Sequence, residues 1–146
     1  MNQIRGKIFV EENKVYANVS SEIFDFYKNL VYKEYPNLKF GLASPRHGHH
    51  VTIARHPIHN FDYEKALQFR GEEVDIKFGP EDIYIGGFNK GFIGFYTYVY
   101  SSRLEEIRDI LGVCGGNDSL HITMFSTKSE RNNNAIKNKN SSKQLL

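Results

Sequence analysis

The hydrophobic pattern along this chain predicts an α+β fold of two related halves, each with a helix ahead of a motif strand. Three observations carry the expectation. Most of the apolar residues fall in short segments of period-two alternation, interrupted by only a few stretches of helical spacing. Turn signals between neighbouring strands are short, as antiparallel pairing requires. One pattern, histidine-x-threonine followed by an apolar residue, occurs twice, 71 positions apart and each time after an amphipathic helix, as an internally duplicated fold would have it.

The elements follow in order. Lys7-Ile8-Phe9-Val10 and Val15-Tyr16-Ala17-Asn18-Val19 read as a hairpin across Glu11-Glu12-Asn13-Lys14. Tyr16 alternates against Val15, Ala17 and Val19, so it belongs to the face away from the core. Ser20 reads as an N-cap, followed by Ile23, Phe24, Phe26, Tyr27, Leu30 and Val31 at helical spacing, with Pro36 as the stop. Leu38 to His49 contains Gly41, Pro45 and Gly48 and reads as a loop into the first motif strand, His50 to Arg55, which Pro57 ends. Asp62 to Arg70 has a short helical pattern with Gly71 at its C-terminal cap. Val74 to Phe78, Ile83 to Phe88 and Phe92 to Tyr100 are strands, the last two joined by Asn89-Lys90-Gly91. In the last, Phe95, Thr97 and Val99 share one face and Tyr96, Tyr98 and Tyr100 the other. Ser102-Arg103-Leu104-Glu105 reads as a capping box opening a helix that buries Leu104, Ile107, Ile110 and Leu111, and Gly115-Gly116 breaks it before the second motif strand, Leu120 to Phe125. Residues 1–126 therefore form a single domain. Residues 127–146, rich in Asn, Lys and Ser, read as a disordered tail, with a mobile lid as the functional alternative.

Composition bounds the function. At 146 residues and 40% hydrophobic, with 11 Phe, 9 Tyr and no Trp, the chain supports one aromatic core and leaves tyrosines for a binding surface. No run of about 18 apolar residues and no signal-peptide pattern occurs, which points to a soluble protein of the cytoplasm without a membrane partner. The single cysteine, Cys114, excludes an internal disulfide and a cysteine-rich zinc site. The net charge of +2 is unevenly placed: residues 127–146 carry +4, whereas residues 1–126 hold 14 basic against 16 acidic side chains. Long nucleic acid, which needs a broad basic surface, is not the expected partner. A small phosphate ligand held by a few local donors fits better.

The motifs supply the chemistry. In His50-Val51-Thr52-Ile53 and His121-Ile122-Thr123-Met124, alternation sets His and Thr on one face and the apolar residues on the other. Two imidazoles on one pocket can take and give a proton near neutral pH, and two hydroxyls can donate to a phosphate. His47, His49, His50, His56 and His59 crowd into thirteen residues, but their spacing is irregular, Pro57 interrupts them, and no nearby Cys or acid completes a ligand set. No metal or other cofactor is expected, and His47 and His49 read as loop histidines beside the cleft. Gly-rich phosphate loops, G-x-S-x-G and H-E-x-x-H are absent from the sequence, so nucleophilic Ser or Cys catalysis is not indicated.

The paired H-x-T-apolar motifs in a duplicated α+β chain of this size resemble the two-histidine (2H) phosphoesterase superfamily, over nearly everything from Lys7 to Phe125. With Arg5-Gly6-Lys7-Ile8-Phe9-Val10 opening the chain, it looks most like the small phage enzymes that counter CBASS immunity by degrading cyclic oligonucleotides. That resemblance implies two pseudo-symmetric lobes of antiparallel sheet with helices packed outside and a central cleft carrying the motif strands, and a metal-independent phosphodiesterase acting on a small cyclic di- or trinucleotide in the host cytoplasm, with no protein partner. It makes His50 and His121 the acid and base, in an order the sequence leaves open, and Thr52 and Thr123 donors to the non-bridging oxygens. Tyr16 would stack on a base. Two alternatives stay open: an RNA-end, tRNA 2′,3′-cyclic or 2′,5′-oligoadenylate phosphodiesterase of the same superfamily, and a non-catalytic module binding nucleotides or a host protein.

Overall fold

The computed structural model describes residues 2–34, 42–45, 48–79, 83–89, 92–113 and 119–127. It is a mixed α+β fold dominated by antiparallel sheet with few, short helices. Among the described residues, contacts divide the chain into two compact units, one within residues 2–20, 50–79 and 98–122, the other within residues 21–49, 83–97 and 123–127.

In the first unit, β1 (Asn2–Glu11) and β2 (Lys14–Val19) form the expected hairpin. The strand order is β5 (Glu73–Phe78), β1, β2, β4 (His50–Arg55), then the start of β8 (His121–Thr127). These neighbours pair antiparallel. Alternation gives the sheet two unlike faces. Ile8, Val15, Ala17, Val51, Ile76 and Ile122 are fully buried on one, and the helices α2 (Tyr63–Ala66) and α3 (Ser102–Leu111) pack against this unit's strands. The other face carries Lys7, Phe9, Tyr16, Asn18, His50 and Thr52, all exposed or half-buried.

Two glycines of this unit take the left-handed region where a helical segment gives way to the chain that follows. Gly71, at φ +81°, follows a 3-10 turn over Leu67–Phe69, and its amide donates to the Ile8 carbonyl of β1. Gly112, at φ +71°, caps α3 by donating to the carbonyls of Arg108 and Asp109. The helix therefore ends there rather than at Gly115-Gly116, which lies outside the described residues. Its N-cap is Ser101, whose hydroxyl accepts from the Leu104 amide, not Ser102. That shift takes Glu105 out of the N3 position, so no capping box forms. The buried stripe is Leu104, Ile107, Arg108 and Leu111, with Arg108 where Ile110 was expected.

In the second unit, α1 (Glu22–Glu34) begins one residue later than the N-cap reading of Ser20 implies and buries Phe24, Tyr27 and Val31. The expected loop contains a two-residue strand, β3 (Leu42–Ala43), paired to the far end of β8. β6 (Tyr84–Asn89) and β7 (Phe92–Tyr98) are antiparallel, and Tyr84 stacks on Tyr96 at 5.7 Å. Phe95 and Thr97 are buried, as the alternation requires. Beyond the end of β7, Tyr100 makes only a bridge to Lys77, within the first unit. Pro36, His47, Lys90-Gly91 of the expected turn, Cys114 and residues 128–146 of the tail lie outside the described residues. No helix among those described is long and apolar enough to cross a membrane.

Candidate active site

Register assembles the site on the open face of the first unit. β4 pairs with β8 through the rung Val51–Ile122, both side chains fully buried. Flanking that rung, His50, Thr52 and His121 project the opposite way and are half-buried. Across paired strands, diagonal positions such as His50 and His121 lie about 7–8 Å apart with their Cβ atoms somewhat closer, a separation that two imidazoles can span around one phosphorus. On the other side of β4, β2 sets Tyr16 opposite Thr52 and Asn18 opposite His50. Tyr16 meets His50 edge-on at 5.6 Å and stacks on Phe9, its β1 partner, also at 5.6 Å. The four residues His50, Thr52, His121 and Tyr16 thus share one face. Thr123 belongs to the second unit, where its side chain is exposed.

Hydrogen bonds fix the ring nitrogens. His121 Nδ1 lies 2.9 Å from the Ser119 carbonyl, which can only accept, so Nδ1 carries a proton and exchange with a ligand runs through Nε2. Lys14 Nζ stands 3.2 Å from His50 Nε2 and 4.7 Å from the centre of the Tyr16 ring. Burial, then the charge of Arg55, hold the Lys14 ammonium below its usual range, against an opposing pull from Glu11. Burial also raises the Tyr16 phenol, and Glu11, which accepts its hydrogen bond, raises it further.

Three residues of this arrangement were not singled out from sequence. Lys14 falls in the turn that the sequence predicts, although its spacing from Tyr16 puts both on one strand face. Phe9, 39% exposed, carries no local signal that sets it apart from an ordinary strand residue. Arg108 reaches from α3 to β4, where its guanidinium donates to the carbonyls of Ile53 at 3.0 Å and Thr52 at 3.3 Å. There the pairing slips: Val15 faces Ala54, but Tyr16 faces Thr52, leaving Ile53 as an extra residue on β4. Arg108 satisfies the carbonyls of this bulge.

The other described histidines, His49, His56 and His59, have structural partners. His49 is buried, not a loop residue beside a cleft: Nε2 donates to the Met124 carbonyl at 2.6 Å, Nδ1 accepts from the Ser21 hydroxyl at 2.7 Å, and the ring stacks on Phe24 at 4.3 Å. His56 stacks on Phe61, and His59 Nδ1 accepts from the Arg55 amide. Among the described residues, no three of His, Cys, Asp or Glu gather as a metal would need. A groove of about 500 Å³ elsewhere in the first unit is lined by Glu73, Asp75, Lys77, Tyr100 and Arg103, with none of the motif residues. Its charges are of both signs, and Arg103 is committed to Glu72 and Glu106, so it does not make an anion site.

Comparison of the chain with protein-family models, curated proteins and solved structures gave no significant match.

Proposed function

We propose that the protein is a metal-independent phosphodiesterase of the 2H type, acting on small cyclic oligonucleotide immune messengers and so countering a CBASS-type defence. One observation supports the reading above the others: the Val51–Ile122 rung joins the two motif strands, with both imidazoles and the Thr52 hydroxyl turned to the same face. In the proposed reaction the base imidazole takes the proton of a ribose 2′-hydroxyl as that oxygen forms a bond to phosphorus. The bond from phosphorus to the 5′-oxygen breaks, and the second imidazole, as imidazolium, gives that oxygen its proton. The product ends in a 2′,3′-cyclic phosphate, which water can open with the two roles exchanged. Thr52 and, from the motif pattern, Thr123 donate to the non-bridging oxygens. The reading carries with it a duplicated architecture in which each half contributes one motif strand.

Phe9 and Tyr16 support the choice of a nucleotide. Side by side on the open face, they offer a stacking surface beside His50, and base–aromatic stacking contributes about 1–3 kcal/mol per base. The test is incubation with EDTA and a panel of cyclic dinucleotides, cyclic trinucleotides and 2′,3′-cyclic-ended RNA, with products identified by mass. Wild type consumes cyclic substrate, His50→Ala and His121→Ala each lose about 10²–10⁴-fold in kcat, and Tyr16→Ala raises KM about tenfold. Turnover confined to RNA ends assigns the alternative substrate. Binding without turnover, undiminished in the double histidine variant, makes the protein a binding module and ends the enzymatic reading.

A further inference from the structure

We infer that Lys14 is a positioning residue that keeps His50 Nε2 unprotonated, making His50 the base and His121 the acid in the cleavage step. The inference rests on the phosphodiesterase reading and settles the order of roles that the motifs leave open. It begins from the 3.2 Å contact between Lys14 Nζ and His50 Nε2. An ammonium and a doubly protonated imidazole cannot share that distance, because each would point a proton at the other. One of the two nitrogens must present a lone pair. The ordinary basicities of lysine and histidine differ by about four units, so the proton stays on lysine and His50 accepts through Nε2.

The surroundings of the pair agree. Lys14 faces Arg55 on β4 and Glu11 on β1 in register, with Tyr16 two residues along its own strand. His50 faces Asn18 on β2, with Lys7 beyond it on β1 and His121 diagonal on β8. Arg55 adds positive charge beside the Lys14–His50 pair, and Glu11, the acid facing Lys14, also accepts the Tyr16 phenol. On its flexible four-carbon stem, Lys14 can swing aside from Nε2 when substrate enters. That movement exposes the His50 lone pair to the 2′-hydroxyl, whose proton passes to Nε2, while the proton for the 5′-oxygen comes from His121 Nε2.

Two measurements on the full chain test this. The first is an imidazole nitrogen NMR titration without substrate. In wild type near neutral pH, His50 carries its proton on Nδ1, and Lys14→Met raises its titration midpoint by about one pH unit, the shift expected for losing a unit charge at this distance in a largely aqueous setting. The second is the pH profile of kcat/KM. Its acidic limb moves upward by the same amount in Lys14→Met, about a tenfold loss on that limb, and Lys14→Arg restores it by returning the charge. A midpoint and limb that stay in place in Lys14→Met overturn the inference, as does His50 protonated on Nε2 in wild type. Wild type without turnover on any phosphodiester sinks the phosphodiesterase reading itself, whereas the NMR midpoint still decides the Lys14–His50 coupling.

Discussion

Arg108→Met tests whether the α3 guanidinium holds the motif strand in its bulged register. Arg108 is 5% exposed, and its guanidinium donates to the main-chain carbonyls of Ile53 and Thr52. Methionine keeps most of the aliphatic stem, so the change removes donors with little loss of packing. Each carbonyl that loses a charged donor in a buried setting costs about 1–3 kcal/mol, while relief from burying a cation returns part of that. The net destabilisation is about 2–4 kcal/mol, a large fraction of the roughly 5–15 kcal/mol that holds a domain folded. Urea unfolding followed by circular dichroism reads it as a midpoint lowered by about 1–2 M with the slope unchanged. Amide exchange localises it: Ile53 and Ala54 exchange faster, while the β1–β5 ladder slows or speeds only with global stability. A midpoint equal to or above wild type would refute the reasoning, since replacing a buried ion by an apolar side chain can stabilise when its bonds contribute little.

Two further perturbations probe the scaffold. A Cβ on Gly6 would lie 3.0 Å from Ile76 Cδ1 and 3.3 Å from both Ala17 Cβ and Val19 Cγ1. Gly6→Ala therefore lowers stability by about 1–2 kcal/mol despite the entropy it saves in the unfolded chain, and an unchanged melting temperature would show that Ile76 and Val19 yield to the added methyl without cost. Glu72 is held below the usual carboxylate range, chiefly by hydrogen bonds from the Arg103 guanidinium at 2.7 and 2.9 Å. Its folded pKa lies below its unfolded one, so its contribution is complete above the ordinary carboxylate range and disappears as pH falls through the folded value. Thermal melts of Glu72→Gln should trail wild type at neutral pH and converge with it in strong acid; a gap that persists in acid contradicts the assignment.

What could be read from sequence divides along physical lines. The motif strand His50–Arg55, the β1–β2 hairpin and the buried face of β7 were legible because alternation reports burial directly. The ends of α3 were not, since Ser101 and Ser102 are equal as caps on paper, and Gly112 stops the helix before the Gly115-Gly116 pair is reached. β3 is too short for any periodicity. His49 sits among Gly and Pro residues that suggest solvent, yet partners 28 and 75 residues away bury it. Pairing of the motif strands needed register, which no local pattern states. Arg108 was closer to hand: it falls on the Leu104–Leu111 stripe, and an arginine on an apolar stripe asks for buried acceptors.

The bulge at Ile53 decides more than geometry. In a regular strand, Thr52 and Arg55, three residues apart, would project to opposite faces. With Ile53 inserted, Ile53 and Ala54 are buried in succession, and Arg55 returns to the open face opposite Lys14 while Thr52 remains opposite Tyr16. One extra residue therefore gathers Lys14, Arg55 and His50 beside one another, on a body whose net charge, from residue 1 to 126, is slightly negative. Net charge was the basis for setting aside long polyanions, but a small phosphate responds to the local field within about one Debye length, roughly 8–10 Å at ordinary salt. The proposed preference for a small ligand thus depends on a bulge that Arg108 secures from below, and loosening that anchor should weaken phosphate binding as well as fold stability.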